Sequence, residues 1–124
     1  MVLPALARGG YQYKPSVNIG VRPGGGRHIV DVLAWKGGSE FLISLKWQQT
    51  GGTAEQKIPF EVISLIEAVQ EKPDRKAYLG LGGAGWTLRT YYVKGGLTRH
   101  LKESHLVEIL DLESFIARAN KGGL

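Results

Sequence analysis

The stretch 28–48 constrains the fold of this chain more than any other. Residues 28–35 (HIVDVLAW) and 40–48 (EFLISLKWQ) are both rich in β-branched and apolar side chains, and Lys36-Gly37-Gly38-Ser39 separates them, so they read as two strands joined by a tight turn. Alternation along the second strand places Leu42, Ser44, Lys46 and Gln48 on one face and Phe41, Ile43, Leu45 and Trp47 on the other. The first face is mostly polar, the second apolar. Asp31 stands mid-strand between apolar neighbours, where a bare carboxylate is costly unless it is paired, hydrogen-bonded or bound to a metal. On adjacent strands, Asp31 and Lys46 can meet across one pair spacing of about 5 Å.

The rest of the chain supplies the surrounding layers. Residues 1–10 show no sustained periodicity and read as an irregular arm; 11–21 read as an extended segment. Arg22-Pro23-Gly24-Gly25-Gly26-Arg27 then reads as a turn, and so a hairpin, in preference to a loop that tracks a DNA backbone. After the break Thr50-Gly51-Gly52-Thr53, with Thr53 as N-cap, the apolar residues Ile58, Val62, Leu65, Ile66 and Val69 recur at helical spacing. Pro59 is tolerated near the start of that helix, which ends before Pro73. Residues 76–81 (KAYLGL) predict a buried strand, 82–85 a turn, and 86–93 a strand paired back onto it. A short helix is predicted at 97–102, a strand at 105–110, and a final helix at 112–119 capped by Asp111. The order gives one α/β (α+β) domain over residues 1–124, a mixed β-sheet flanked by helices.

Composition narrows the function. No apolar run approaches the roughly 20 residues needed to span a bilayer, and the start of the chain has no basic leader, so a location inside the cell, in the cytoplasm, is expected. With no cysteine, any metal must be held by oxygen or imidazole, which suits a hard cation. Sixteen Lys plus Arg against eleven Asp plus Glu give +5, favouring polyanionic partners. His28, His100 and His105 lack metal-ligand spacing, and His28 lies three residues from Asp31, on the opposite strand face, so no zinc site is expected. Gly82-Gly83-Ala84-Gly85 lacks the Lys-Ser/Thr ending of a phosphate loop. Trp35, Trp47 and Trp86 read as core or dimer-interface residues rather than base-stacking platforms.

Asp31, the run Ser44-Leu45-Lys46-Trp47-Gln48-Gln49, and the run Gly52 to Glu61 together resemble the PD-(D/E)XK nuclease superfamily, over roughly residues 27–95. The resemblance implies a restriction-endonuclease-like fold and a Mg²⁺-dependent endodeoxyribonuclease, with Mn²⁺ as a substitute. In that family the first Asp binds a divalent metal, an acid two positions before the lysine binds it too, and the lysine orients and activates the attacking water. Asp31 and Lys46 match directly, and Gln48 resembles a glutamine found two positions after the lysine in some branches. Ser44 departs from the pattern, since a hydroxyl is a poor substitute for a carboxylate on Mg²⁺. Some restriction enzymes of this fold carry Ser-x-Lys and take the missing carboxylate from a glutamate on the following helix. Glu61, fifteen residues after Lys46, and Glu55, near the helix start, are the candidates, with Glu61 slightly preferred.

Plainer roles stand beside these: Asp31 as an exposed edge-strand residue, Lys46 in a cross-strand ion pair with Asp31, Glu55 complementing the helix dipole, and Glu61 as an ordinary flank residue. DNA is the expected partner, and the resemblance implies a homodimer. A non-catalytic DNA-binding or assembly module of the same fold, and a structure-selective junction resolvase, are the alternative functions. The family's usual N-terminal helix has no clear counterpart before Tyr11.

Overall fold

A computed structural model describes residues 1–49 and 54–124; Thr50 to Thr53, including the expected N-cap, lie outside the described residues. Five strands form one mixed sheet in the order β1-β2-β3-β4-β5. β1 (Gln12–Val21), β2 (Arg27–Lys36) and β3 (Ser39–Trp47) form an antiparallel meander, as expected. α2 (Ala54–Glu71) then crosses over so that β4 (Arg75–Gly82) runs parallel to β3, and β5 (Val107–Asp111) runs parallel to β4. No helix among the described residues is long and apolar enough to cross a membrane.

The sheet divides two cores. On one side Ile58, Val62 and Leu65 of α2 pack on Leu42, Ala77, Leu79 and Leu81. On the other, α1 (Val2–Arg8) and α4 (Leu112–Asn120) bury Leu6 and Phe115 against Phe41, Ile43 and Tyr78. Most of the irregular arm expected at residues 1–10 is thus a helix. Seven residues are too few to hold a helix by propensity; this one is held by packing, with Ala5 and Leu6 at 0% exposure. Pro4 falls in its first turn, where no intrahelical N–H is needed.

A second correction concerns residues 86–93. They form no strand: Thr87 and Leu88 lead into the helix α3 (Arg89–Val93). β4 is hydrogen-bonded on both edges, to β3 and β5, so no edge remains for a hairpin partner. The 3₁₀ turns Gly96–Arg99 and Ser104–Leu106 follow, in place of the helix expected at 97–102 and delaying the last strand by two residues. Asp111 caps α4 as expected, its Oδ1 accepting from the Ser114 N–H at 2.8 Å.

Pro59 lies well inside α2, beyond the first turn where it was expected to be tolerated. It has no N–H to give the Glu55 carbonyl four residues earlier. The Tyr92 hydroxyl donates to that carbonyl instead, at 2.8 Å, and so ties α3 to α2.

The feature that shapes the site is a crossing of faces in the β1–β2 hairpin. Strict alternation would put Val30, Val32 and Ala34 on one face, yet Val30 joins the core under α2 while Val32 and Ala34 join the core under α1 and α4. The switch falls at Asp31. Opposite it, between the pairs Pro15↔Val32 and Val17↔Val30, Ser16 takes φ 56°, a left-handed conformation. Beyond this step the hairpin turns its even-numbered β2 residues toward α2.

Candidate active site

Pairing of β2 with β3 is last seen at Val32↔Ile43, one step before Asp31. There the Asp31 carboxylate substitutes for a strand neighbour: Oδ2 accepts from the Leu45 N–H at 2.7 Å. Asp31 is therefore held at the backbone between Ser44 and Lys46, on the exposed rim of the sheet.

Glu61 comes from α2 and is only 3% exposed. Its Oε2 accepts from the Ser44 hydroxyl at 2.8 Å and lies 3.8 Å from Lys46 Nζ. Oε1 accepts from Arg22 Nη1 at 2.6 Å and lies 3.4 Å from His28 Nε2. Of the face carrying Leu42, Ser44 and Lys46, Leu42 and Ser44 are buried and Lys46 is half-buried. Burial opposes ionisation of Glu61, but contacts from His28, Arg22 and Ser44 and the charge of Lys46 outweigh it and lower its pKa from 4.5 to about 2. Glu61 is a carboxylate at any physiological pH.

Beside Glu61 opens a recess of about 300 Å³ lined by Arg22, Lys46, Gln56, Lys57 and Phe60 as well. Three cationic side chains face one carboxylate there, so the recess is net positive and suited to an anion. The Arg22 guanidinium also sits 6.0 Å from the Phe60 ring centroid, which steadies it at the rim.

The other predicted site residues separate from this group. Glu55 accepts from the backbone N–H groups of Thr87 and Leu88 and from the Thr87 hydroxyl, so it caps α3, whose own N-cap position is Leu88. Leu88 first and Thr87 second hold its carboxyl below the usual range. Gln48 is buried and donates from Nε2 to the Gly85 carbonyl at 2.8 Å, pinning the turn after β4. Close backbone approach here requires glycine at 83, where φ is 91° and a Cβ would come 2.3 Å from the Gln48 carbonyl oxygen.

The contacts of Arg22 and His28 with Glu61 are what sequence reasoning missed. The Pro-Gly loop reads as a plain turn, and His28, on strict alternation, points away from Asp31. In the structure it is 1% exposed and faces Glu61. Only Pro15, a disruptor of regular strand pairing, hints at the hairpin's face crossing in the sequence.

Ser44 and Lys46 of β3 thus meet Glu61 of α2, the next helix in the chain. A sequence model of the PD-(D/E)XK nuclease superfamily domain matches residues 2–123. The chain belongs to the PD-(D/E)XK nuclease superfamily. Its five-stranded mixed sheet with flanking helices is the restriction-endonuclease-like fold expected of a member. No curated protein matches the chain. Among solved structures it is similar to the protein of unknown function AF1548, with a TM-score of 0.50 at 14% identity over 88% of this chain and 53% of that one. The chain thus spans about half the length of that structure, and the likeness is one of fold.

Members of the superfamily typically use a divalent metal. Among the described residues no group of three or more His, Cys, Asp or Glu is placed to hold one. The donors present are nonetheless of the right kind: Asp31 accepts from the Leu45 N–H and Glu61 from the neighbouring Ser44 hydroxyl, and Mg²⁺ is commonly held by one or two carboxylates with water and substrate phosphate. Arg22 and His28 compete for Glu61 Oε1.

Proposed function

We propose that this domain is a metal-dependent endonuclease that hydrolyses DNA phosphodiester bonds, with Asp31 and Glu61 as metal ligands and Lys46 as the catalytic lysine. The observation that carries the reading is the Glu61 carboxylate, hydrogen-bonded to the very serine that stands where the strand acid is missing and 3.8 Å from Lys46. A bound Mg²⁺ would polarise the phosphate and lower the pKa of its water. Lys46 stabilises the negative charge that develops on the phosphate oxygens, and its ammonium is held in place by Glu61. Lys57 and Arg22 draw the backbone phosphate into the recess, while Ser44 fixes the rotamer of Glu61. Gln48 acts at one remove, by fixing the turn after β4.

Supercoiled plasmid incubated with Mg²⁺ or Mn²⁺ tests the proposal, beside an EDTA control and the variants Asp31→Ala and Lys46→Ala. Nicking or linearisation that requires metal and disappears in both variants is the expected result. One observation favours the non-catalytic module instead: Glu61 already has its charge answered by Arg22 at 2.6 Å. Intact plasmid, together with intact branched and single-stranded DNA, would support that reading.

A further inference from the structure

On the opposite side of β3 from Glu61, a cavity of about 670 Å³ lies between the ends of β3 and β4 and the start of α4. Its wall includes Trp47, the residue after Lys46, whose side chain takes the other face of the strand. Of the core and dimer-interface places expected for Trp47, the core is not the one it takes: it is 64% exposed in the folded chain. It is also a built feature. A Cβ at Gly82 would come 2.5 Å from Trp47 Cε3 and 2.8 Å from Leu112 Cδ2, so the ring is seated on bare backbone that no other residue could offer. Around the cavity stand a donor, Arg89, whose buried Nε has no hydrogen-bond partner among the described residues, and the two-way group Gln49. Asp111, which uses Oδ1 to cap α4, brings a second carboxylate oxygen.

A seated aromatic ring with donors and acceptors around it matches a flat heterocycle bearing a hydrogen-bonding edge. Asp111 and Glu113 on the wall disfavour a phosphate. Resting on the nuclease reading above, we infer that this cavity receives one unpaired nucleobase of the nucleic acid whose phosphate lies at Lys46, stacked on Trp47 and read by Arg89, Gln49 and Asp111. A strand crossing the C-terminal end of β3 presents its phosphates to the Lys46 side and a base to the Trp47 side. A base still paired in a duplex cannot enter, so the substrate is single-stranded, branched or locally opened at this point.

The test is fluorescence anisotropy in EDTA, so that no strand is cut, with a labelled 12-mer of deoxythymidine and the same 12-mer made abasic at its three central positions. The protein is expected to bind the intact strand about tenfold more tightly, the scale of one base stacked on an aromatic ring. Trp47→Ala should abolish that preference while leaving the affinity for the abasic strand unchanged, and Trp47→Phe should keep it. Arg89→Gln, which leaves the Gly82 seat untouched, should reduce it and guards against misfolding of the Trp47 variants. Equal affinity of the wild type for both strands, or an undiminished preference in Trp47→Ala, overturns the inference while leaving nucleic-acid binding intact. Binding of neither strand overturns the inference, while the nuclease reading is decided separately by the plasmid assay above. A change of solution mass in Trp47→Ala without loss of base preference assigns the cavity to a second copy of the chain and overturns the inference.

Discussion

Replacing Glu61 by glutamine removes a buried charge while keeping the shape of the side chain; its one oxygen can accept from Arg22, and its amide nitrogen then faces Ser44, whose hydroxyl can accept as well as donate. The Glu61 pKa falls from 4.5 to about 2 on folding. At about 1.4 kcal/mol for each tenfold change in acidity constant, this corresponds to about 3 kcal/mol of stability at neutral pH. The sign follows from the depressed folded value. The contribution is complete above pH 4.5, where the unfolded chain is ionised too, and it is lost as the pH falls through about 2. In the Glu61→Gln variant the neutral amide stands in for the protonated acid at every pH. Urea unfolding in EDTA at a series of pH values therefore gives the wild type an advantage of about 3 kcal/mol at pH 7, shrinking between pH 4.5 and 2. Every other carboxylate titrates in both proteins and cancels in the difference. A gap independent of pH, or a Glu61→Gln protein as stable as the wild type at pH 7, would refute the claim that Arg22, His28, Ser44 and Lys46 together hold this charge.

Further outcomes follow from the same contacts. Arg22→Gln frees Glu61 Oε1 of its closest cation; it should lower stability by about 1–2 kcal/mol in urea and raise the affinity for Mn²⁺ several-fold by calorimetry. Tyr92→Phe strips the Glu55 carbonyl of its partner and should cost about 1 kcal/mol, but clearly less in a Pro59→Ala background, where the helix can supply its own N–H; a double-mutant cycle reads the coupling. Asp111→Ala removes the α4 cap and should lower stability by about 1 kcal/mol by the same unfolding measurement.

Much of the scaffold is legible in the sequence because it is locally determined. The β2–β3 pairing follows from alternation and a Gly-Gly turn, α2 from a long apolar stripe, and the α4 cap from Asp111. Elements fixed by distant partners are not. α1 has too few residues to announce itself and exists because α4 covers Leu6. Residues 86–93 carry strand-forming types, but β4 has no free edge and Glu55 caps a helix there. At the site, the choice of Glu61 over Glu55 is open to sequence spacing, since helical periodicity allows both to approach the sheet. The structure separates them by partner: Ser44 and Lys46 for one, Thr87 and Leu88 for the other. Arg22 and His28 stay hidden because their route to Glu61 depends on the face crossing at Ser16 and Asp31, which no short-range pattern encodes.

The most direct measurement is plasmid cleavage in Mn²⁺ by Glu61→Gln and Glu55→Gln, side by side with the wild type. With Glu61 as the carboxylate that replaces the acid missing at Ser44, Glu61→Gln loses at least about a hundredfold in rate, on the scale of a lost electrostatic contribution to the transition state, while Glu55→Gln cuts at close to the wild-type rate. Full cleavage by Glu61→Gln, or its loss in Glu55→Gln alone, would contradict it.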